Sequence, residues 1–273
     1  MGNDAKDMFV KMMRRAATFS GVEIITYCVM DNHFHILLKV PKRREIGEDE
    51  LKRRVSTLYG QIKARVIFSR WKASMEAGEE ERVHEEQDAF RKRMYDLSEF
   101  GKTLKQRYSV WYRSHYPRKV GDPAHPEIST IEGTMWQGRF HSVLVEPTQK
   151  ALTAVAAYID MNPVRAKMVS DARFYRWSGY GAARRGDKTA KENRKFVDAT
   201  LYQSIIEEKT HGFSAKVPSV SRGIAIGRTT FVMEKICETR GRTRTRTRTV
   251  AVPLAESGGL SLLCSAKRRV ANA

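Results

Sequence analysis

His33 and His35 are separated by a single residue in His33-Phe34-His35-Ile36-Leu37-Leu38-Lys39-Val40. On a β-strand alternate side chains share a face, so the two imidazoles would stand about 7 Å apart beside Leu37 and Lys39. Phe34, Ile36, Leu38 and Val40 would then face the other way, as core. Two imidazoles so placed suit a divalent cation. Taken alone, the pair is more simply two solvated histidines, and a metal site requires a third ligand and a nucleophile elsewhere. Residues 148–162 supply both, because on a helix Tyr158 and Asn162, four residues apart, share one face. One brings a hydroxyl and the other an amide oxygen. The same spacing also fits a core tyrosine and an asparagine that closes the helix ahead of Pro163.

The elements that must hold these residues follow from hydropathy and turn signals. Residues 4–19 have the three-to-four spacing of an amphipathic helix, stopped by Ser20-Gly21. Residues 22–29 are rich in β-branched and aromatic side chains, Met30-Asp31-Asn32 supplies a turn, and residues 33–40 resume the strand. Together they predict a β-hairpin closed by Pro41. Helical sequence follows at about 48–70 and 83–113, read as an insertion spanning about 42–130. A Pro-rich segment ends it, and strand composition returns from Met135 to Glu146. Pro147 opens the helix that carries Tyr158. Further helices are expected at 164–170, 195–209 and 229–238. Residues 1–180 thus read as one catalytic domain, 181–239 as a helical C-terminal extension, and 240–273 as a basic low-complexity tail containing an Arg/Thr repeat.

Charge narrows the partner. The 273 residues hold 50 Lys+Arg against 31 Asp+Glu, a net charge of +19, which favours a polyanion. No apolar run is long enough for a membrane helix, and the polar start is not a secretory signal, so a cytoplasmic, nucleoid-associated protein is expected. Cys28, Cys237 and Cys264 lack C-x-x-C spacing, which argues against a disulfide framework and a thiolate zinc site. Basic and aromatic residues interleave over residues 105–113, so Lys105 and Arg107 are candidate DNA contacts beside stacking rings. The same pattern fits a helix packing Tyr108, Trp111 and Tyr112 onto a sheet. Arg165 and Lys167 are further candidate phosphate contacts. Trp177 and Tyr180 read as core. His84, His115, His125 and His211 have no partner pattern, and His141 lies beside the fourth strand.

Three motifs stand in order along the chain: Tyr27-Cys28-Val29-Met30-Asp31-Asn32-His33-Phe34-His35-Ile36-Leu37-Leu38, then Trp136-Gln137-Gly138-Arg139-Phe140-His141-Ser142-Val143-Leu144, then Tyr158-Ile159-Asp160-Met161-Asn162-Pro163-Val164-Arg165-Ala166. Over about residues 4–240 the sequence resembles the REP-associated tyrosine transposases, single-tyrosine members of the HUH endonuclease superfamily. The resemblance implies an α+β, ferredoxin-like antiparallel sheet with helices on one face. It implies His33, His35 and Asn162 as metal ligands, Tyr158 as nucleophile, and Arg139 among the DNA contacts. The implied activity is metal-dependent nicking and strand transfer on single-stranded or hairpin DNA, through a 5′-phosphotyrosine and with Mg²⁺ or Mn²⁺. Two imidazoles would also suit zinc. It leaves room for a homodimer. The alternative is a domesticated or decayed protein that grips hairpin DNA without cutting it; an RNA-binding module would leave the motifs unexplained.

Members of that family open with a strand ahead of the first helix, and that strand lies in the sheet interior. Here the chain begins almost at the helix, so the first strand is expected to be missing. The remedies would be a start codon further upstream, or another segment, such as one after residue 215, filling the place.

Overall fold

The computed structural model describes residues 1–116, 135–136, 141–210 and 228–235. In chain order the elements are α1 (Asn3–Ser20), β1 (Glu23–Val29), β2 (His33–Val40), α2 (Glu48–Tyr59), α3 (Gln61–Glu76), α4 (Glu80–Lys92), α5 (Leu97–His115), β3 (His141–Leu144), α6 (Gln149–Asp160), α7 (Asn162–Arg165), α8 (Gly179–Arg184), α9 (Lys188–Asn193), α10 (Ala199–Thr210) and β4 (Arg228–Lys235). The architecture is α+β, with a four-stranded antiparallel sheet in the order β1-β2-β4-β3.

The first helix and the hairpin form where the sequence predicts them. Phe9, Met13 and Ala16 recur on one side of α1 and are buried. The helix ends at Gly21, whose φ of 69° lies in the left-handed region and whose N–H donates to the Ala17 carbonyl. A side chain there would also strike Tyr95 and Arg54. In the hairpin Cys28 lies opposite His35 and Val29 opposite Phe34. A register shift between Ile24 and Thr26 turns Ile25 and Thr26 to the same side of the sheet, the side of Leu37.

Helices cover both faces of this sheet, which corrects the expectation of helices on one face. On the first face Phe9 and Met13 of α1, backed by Phe100, Leu104 and Tyr108 of α5, pack on Ile24, Val29, Phe34, Ile36 and Leu38. On the second, Leu152, Ala156 and Ile159 of α6 pack on Ile25, Cys28 and Leu37. The reason lies in β2. Its histidine face also carries Leu37, which is fully buried, so that face needs an apolar cover as well.

The inserted helices form their own core, in which Leu51, Val55, Leu58, Trp71 and Val83 surround Phe19 and Met94. The long helical stretch expected at 48–70 breaks at Gly60, and the one at 83–113 breaks before Asp96, whose carboxylate accepts from the Glu99 N–H to start α5.

A second correction concerns the C-terminal extension. The helix expected at 229–238 is replaced by β4, which pairs with β2 from His33↔Lys235 to Val40↔Arg228 and with β3 from His141↔Met233 to Leu144↔Thr230. Residues 229–233, Thr-Thr-Phe-Val-Met, are β-branched or aromatic at four of five positions, and that composition suits a pleated strand better than a helix. Among its described residues the extension also carries helix, in α8, α9 and α10. Arg139, the Arg/Thr repeat and the expected tail lie outside the described residues. Among those described, no helix is long and apolar enough to cross a membrane.

Between α7 and α8 the chain turns tightly, and Gly181 marks its closest approach. A Cβ on Gly181 would overlap the Tyr175 carbonyl oxygen. Gly181→Ala should therefore cost about 1–3 kcal/mol through overpacking and lower the melting temperature by several degrees. An unchanged thermal transition would show that this turn tolerates the extra carbon.

Candidate functional site

The site begins at the hairpin turn. The Met30 N–H donates to the His33 carbonyl at 2.8 Å, and the Val29 N–H donates to the Trp177 carbonyl at 2.9 Å. The Tyr175 hydroxyl donates to the Val29 carbonyl at 2.7 Å. Lys6 of α1, itself buried, pairs with Asp31 in the turn at 2.5 Å. The strand start that carries the two histidines is thus fastened from α1 and from the segment before α8.

The two imidazoles meet edge to face, with ring centroids 4.9 Å apart. His33 Nδ1 lies 2.8 Å from the Asn32 Oδ1. An amide oxygen only accepts, so in this arrangement Nδ1 carries the hydrogen. His35 is 2% exposed. Burial, followed by the nearby charges of His33 and Arg165, lowers its pKa to about 3. It is neutral at physiological pH, the form in which imidazole ligates metal.

Tyr158 reaches the same place from α6, the helix opened by Thr148, whose hydroxyl oxygen accepts from the Ala151 N–H. The Tyr158 ring lies across His35 with centroids 6.1 Å apart, and the Arg165 guanidinium of α7 stands 5.2 Å from the Tyr158 ring centroid. Two strand residues and two helix residues, distant in sequence, therefore surround one small volume on the second face of the sheet.

No family model, curated protein or solved structure matches the chain. The reading of the site rests on its own chemistry.

Asn162 behaves as a helix-closing residue. Its Nδ2 donates to the Tyr158 carbonyl at 2.9 Å and to the Ile159 carbonyl at 3.2 Å. The amide nitrogen is tied to the end of α6, so only the amide oxygen is left to act as a ligand. Among the described residues no group of three or more His, Cys, Asp or Glu could hold a metal ion. A divalent ion here would rest on His33, His35 and the Asn162 oxygen, and imidazole is a suitable ligand, His35 being held neutral by burial.

The expected DNA contacts separate. Arg165 belongs to the site, and Lys167 follows it, exposed and with a φ of 56°. Lys105 and Arg107 lie on α5, on the other side of the sheet. Lys105 stands over the Trp136 ring and Arg107 over the Tyr59 ring, and burial lowers the Arg107 pKa. Tyr108 is fully buried against Phe9, so in residues 105–113 this aromatic packs the core. His141 lies opposite Met233 in β3.

One residue of consequence escaped the sequence. Asp160 is 0% exposed and points away from Tyr158, two positions along α6. Its Oδ1 accepts from the Thr26 hydroxyl of β1 at 2.8 Å, and its Oδ2 accepts from Arg194 at 2.8 Å and from the Tyr202 hydroxyl of α10 at 2.9 Å. Burial raises the Asp160 pKa against the opposing pull of Arg194, Thr26 and Tyr202. The signal was available: a carboxylate in an otherwise apolar helix is buried only with partners.

Proposed function

We propose that this chain is a metal-dependent DNA nickase and strand transferase of the single-tyrosine HUH type, acting on single-stranded or hairpin DNA. The observation that carries the proposal is the convergence of Tyr158 on the histidine pair: its ring lies 6.1 Å from that of His35, which in turn lies 4.9 Å from that of His33. The net charge of +19 supports a nucleic-acid partner.

The chemistry follows from the residues. The Tyr158 oxygen attacks the scissile phosphorus; the bond to the 3′ oxygen breaks and the bond to tyrosine forms. The products are a 5′-phosphotyrosine and a 3′-hydroxyl, with the phenol proton passing to solvent and the leaving oxygen taking one up. One phosphodiester bond is exchanged for another, so a second 3′-hydroxyl can reverse the step without ATP. Arg165 contributes a fixed positive charge beside the ring. His33, His35 and the Asn162 oxygen would hold Mg²⁺ or Mn²⁺, which when bound offsets the charge growing on the phosphate. Asp160 and its partners fix the helix from which tyrosine attacks.

Sheet order supports the ferredoxin-like reading. The place between β2 and β3, which the family resemblance assigns to a strand ahead of α1, is filled by β4, antiparallel to both neighbours. We read the fold as a ferredoxin-like sheet whose interior strand arrives from the C-terminal side.

One observation favours the second reading, a hairpin binder that does not cut. The Asn162 amide nitrogen closes the end of α6, a structural role that needs no metal. Incubation with hairpin DNA and Mn²⁺, followed by a denaturing gel, separates the two. A covalent adduct is expected from the native chain. Tyr158→Phe should abolish it with hairpin affinity within about two-fold, since it removes one oxygen and little contact area, and His33→Ala should also stop it. Equal adduct formation by Tyr158→Phe would move the nucleophile elsewhere. Tight binding without any adduct would leave the binder.

A further inference from the structure

Just beyond the site the chain presents an apolar ring in basic surroundings. Residues 165–185 contain six basic side chains against one carboxylate, Asp171. Within them Phe174 is 71% exposed, although it ends a short 3₁₀ turn, Ala172–Phe174, capped by the Asp171 carboxylate. Arg173 pairs with Asp171 at 2.6 Å and its guanidinium stands 5.8 Å from the Phe174 ring centroid. Arg176 stands 5.8 Å from the Trp177 ring centroid and pairs with Asp7 of α1 at 2.9 Å, an exposed pair that a phosphate can displace. Arg185 donates to the Arg176 carbonyl at 2.6 Å, which ties the end of α8 to the same segment.

The segment that carries the ring is anchored. Tyr175 and Trp177, its near neighbours in sequence, bond both backbone groups of Val29, at the end of the strand that leads into the His33 turn. An exposed phenylalanine on so well-anchored a turn is not a product of loose structure. A second copy of this chain would bring like charges face to face, whereas a single nucleic-acid strand offers an apolar base to the ring and phosphates to the arginines.

We infer that Phe174 is a stacking platform for a base of bound single-stranded DNA, with Arg173 and Arg176 on the adjoining phosphates. The inference rests on the DNA partner proposed above, and not on cleavage.

The test uses the full chain carrying Tyr158→Phe, so that no strand is cut, and fluorescein-labelled oligothymidylate read by anisotropy. Adding Phe174→Ala should weaken binding about ten-fold, the loss of one base stack. Phe174→Trp should hold affinity near that of the parent. An oligomer of abasic units should not distinguish parent from Phe174→Ala. Equal affinity of parent and Phe174→Ala for oligothymidylate overturns the inference, as does an equal loss on the abasic oligomer or a parent that binds neither. So does sedimentation showing that Phe174→Ala dissociates a dimer of the free protein. If the native chain forms no adduct while the Phe174 dependence persists, the cleavage reading fails and the platform stands.

Discussion

Val232→Pro should remove the cooperative unfolding transition of the chain. Val232 lies in the middle of β4, opposite Ile36 on one side and Ser142 on the other. In an interior strand every N–H faces one neighbour, and proline supplies none. The substitution leaves a sheet carbonyl without its donor, at about 1–3 kcal/mol, and forces the ring into a ladder closed on both sides. The total should reach on the order of 4–5 kcal/mol, the range of severe backbone substitutions, out of the roughly 5–15 kcal/mol that holds a domain together. Urea denaturation followed by circular dichroism would show a broad, early transition. Because β2 carries His33 and His35 against β4, adduct formation should vanish with the fold. A sharp transition at the native midpoint would mean that residues 228–235 do not complete the sheet.

Asp160→Asn is expected to be nearly as damaging, although it changes the shape of the side chain very little. It leaves Arg194, whose side chain is only 15% exposed, without its counter-charge. Removing one partner of a buried ion pair costs about 3–5 kcal/mol. Thr26 donates to one carboxylate oxygen and Tyr202 to the other, so the single amide oxygen of asparagine keeps only one of these bonds, and the loss combines the charge with a hydrogen bond. The partner change Arg194→Gln should destabilise in the same direction, and the double variant should cost less than the two single changes added together. In the proposed reaction the effect falls on the rate of adduct formation more than on DNA affinity, because Asp160 faces away from the site and acts through the seating of α6. Additive single and double variants would show that Asp160 and Arg194 do not act as a pair.

The parts of the molecule that were legible in the sequence depend on local geometry. The shared face of His33 and His35 needs only the two-residue period of a strand, the shared stripe of Tyr158 and Asn162 only the helical turn, and the end of α1 only the left-handed freedom of Gly21. The parts that were not legible depend on partners remote in sequence. Residues 229–233 look strand-like, yet their neighbours β2 and β3 are fixed only by the assembled sheet. Asp160 looks out of place in α6 until Thr26, Arg194 and Tyr202 arrive from three other elements. Leu37 made the histidine face half apolar, a mixture that hides a second helical cover. The interleaved pattern of residues 105–113 is the same for a stacking surface and for an amphipathic helix, and burial of Tyr108 was decided by α1 and Trp136.

The late position of β4 also sets a timetable. At about 5–20 residues per second, the 187 residues between Val40 and Arg228 take roughly 10–40 s to synthesise. During that interval β1 and β2 have left the ribosome with one flank of β2 unpaired along residues 33–40, an edge that invites misassociation and whose eventual partner closes a very long loop. Both histidines and Tyr158 are made before the segment that aligns their strand. A nascent peptide stalled between Asn162 and Arg228 therefore carries the histidine pair and Tyr158 without the frame in which they meet, and the site matures only once β4 has been made.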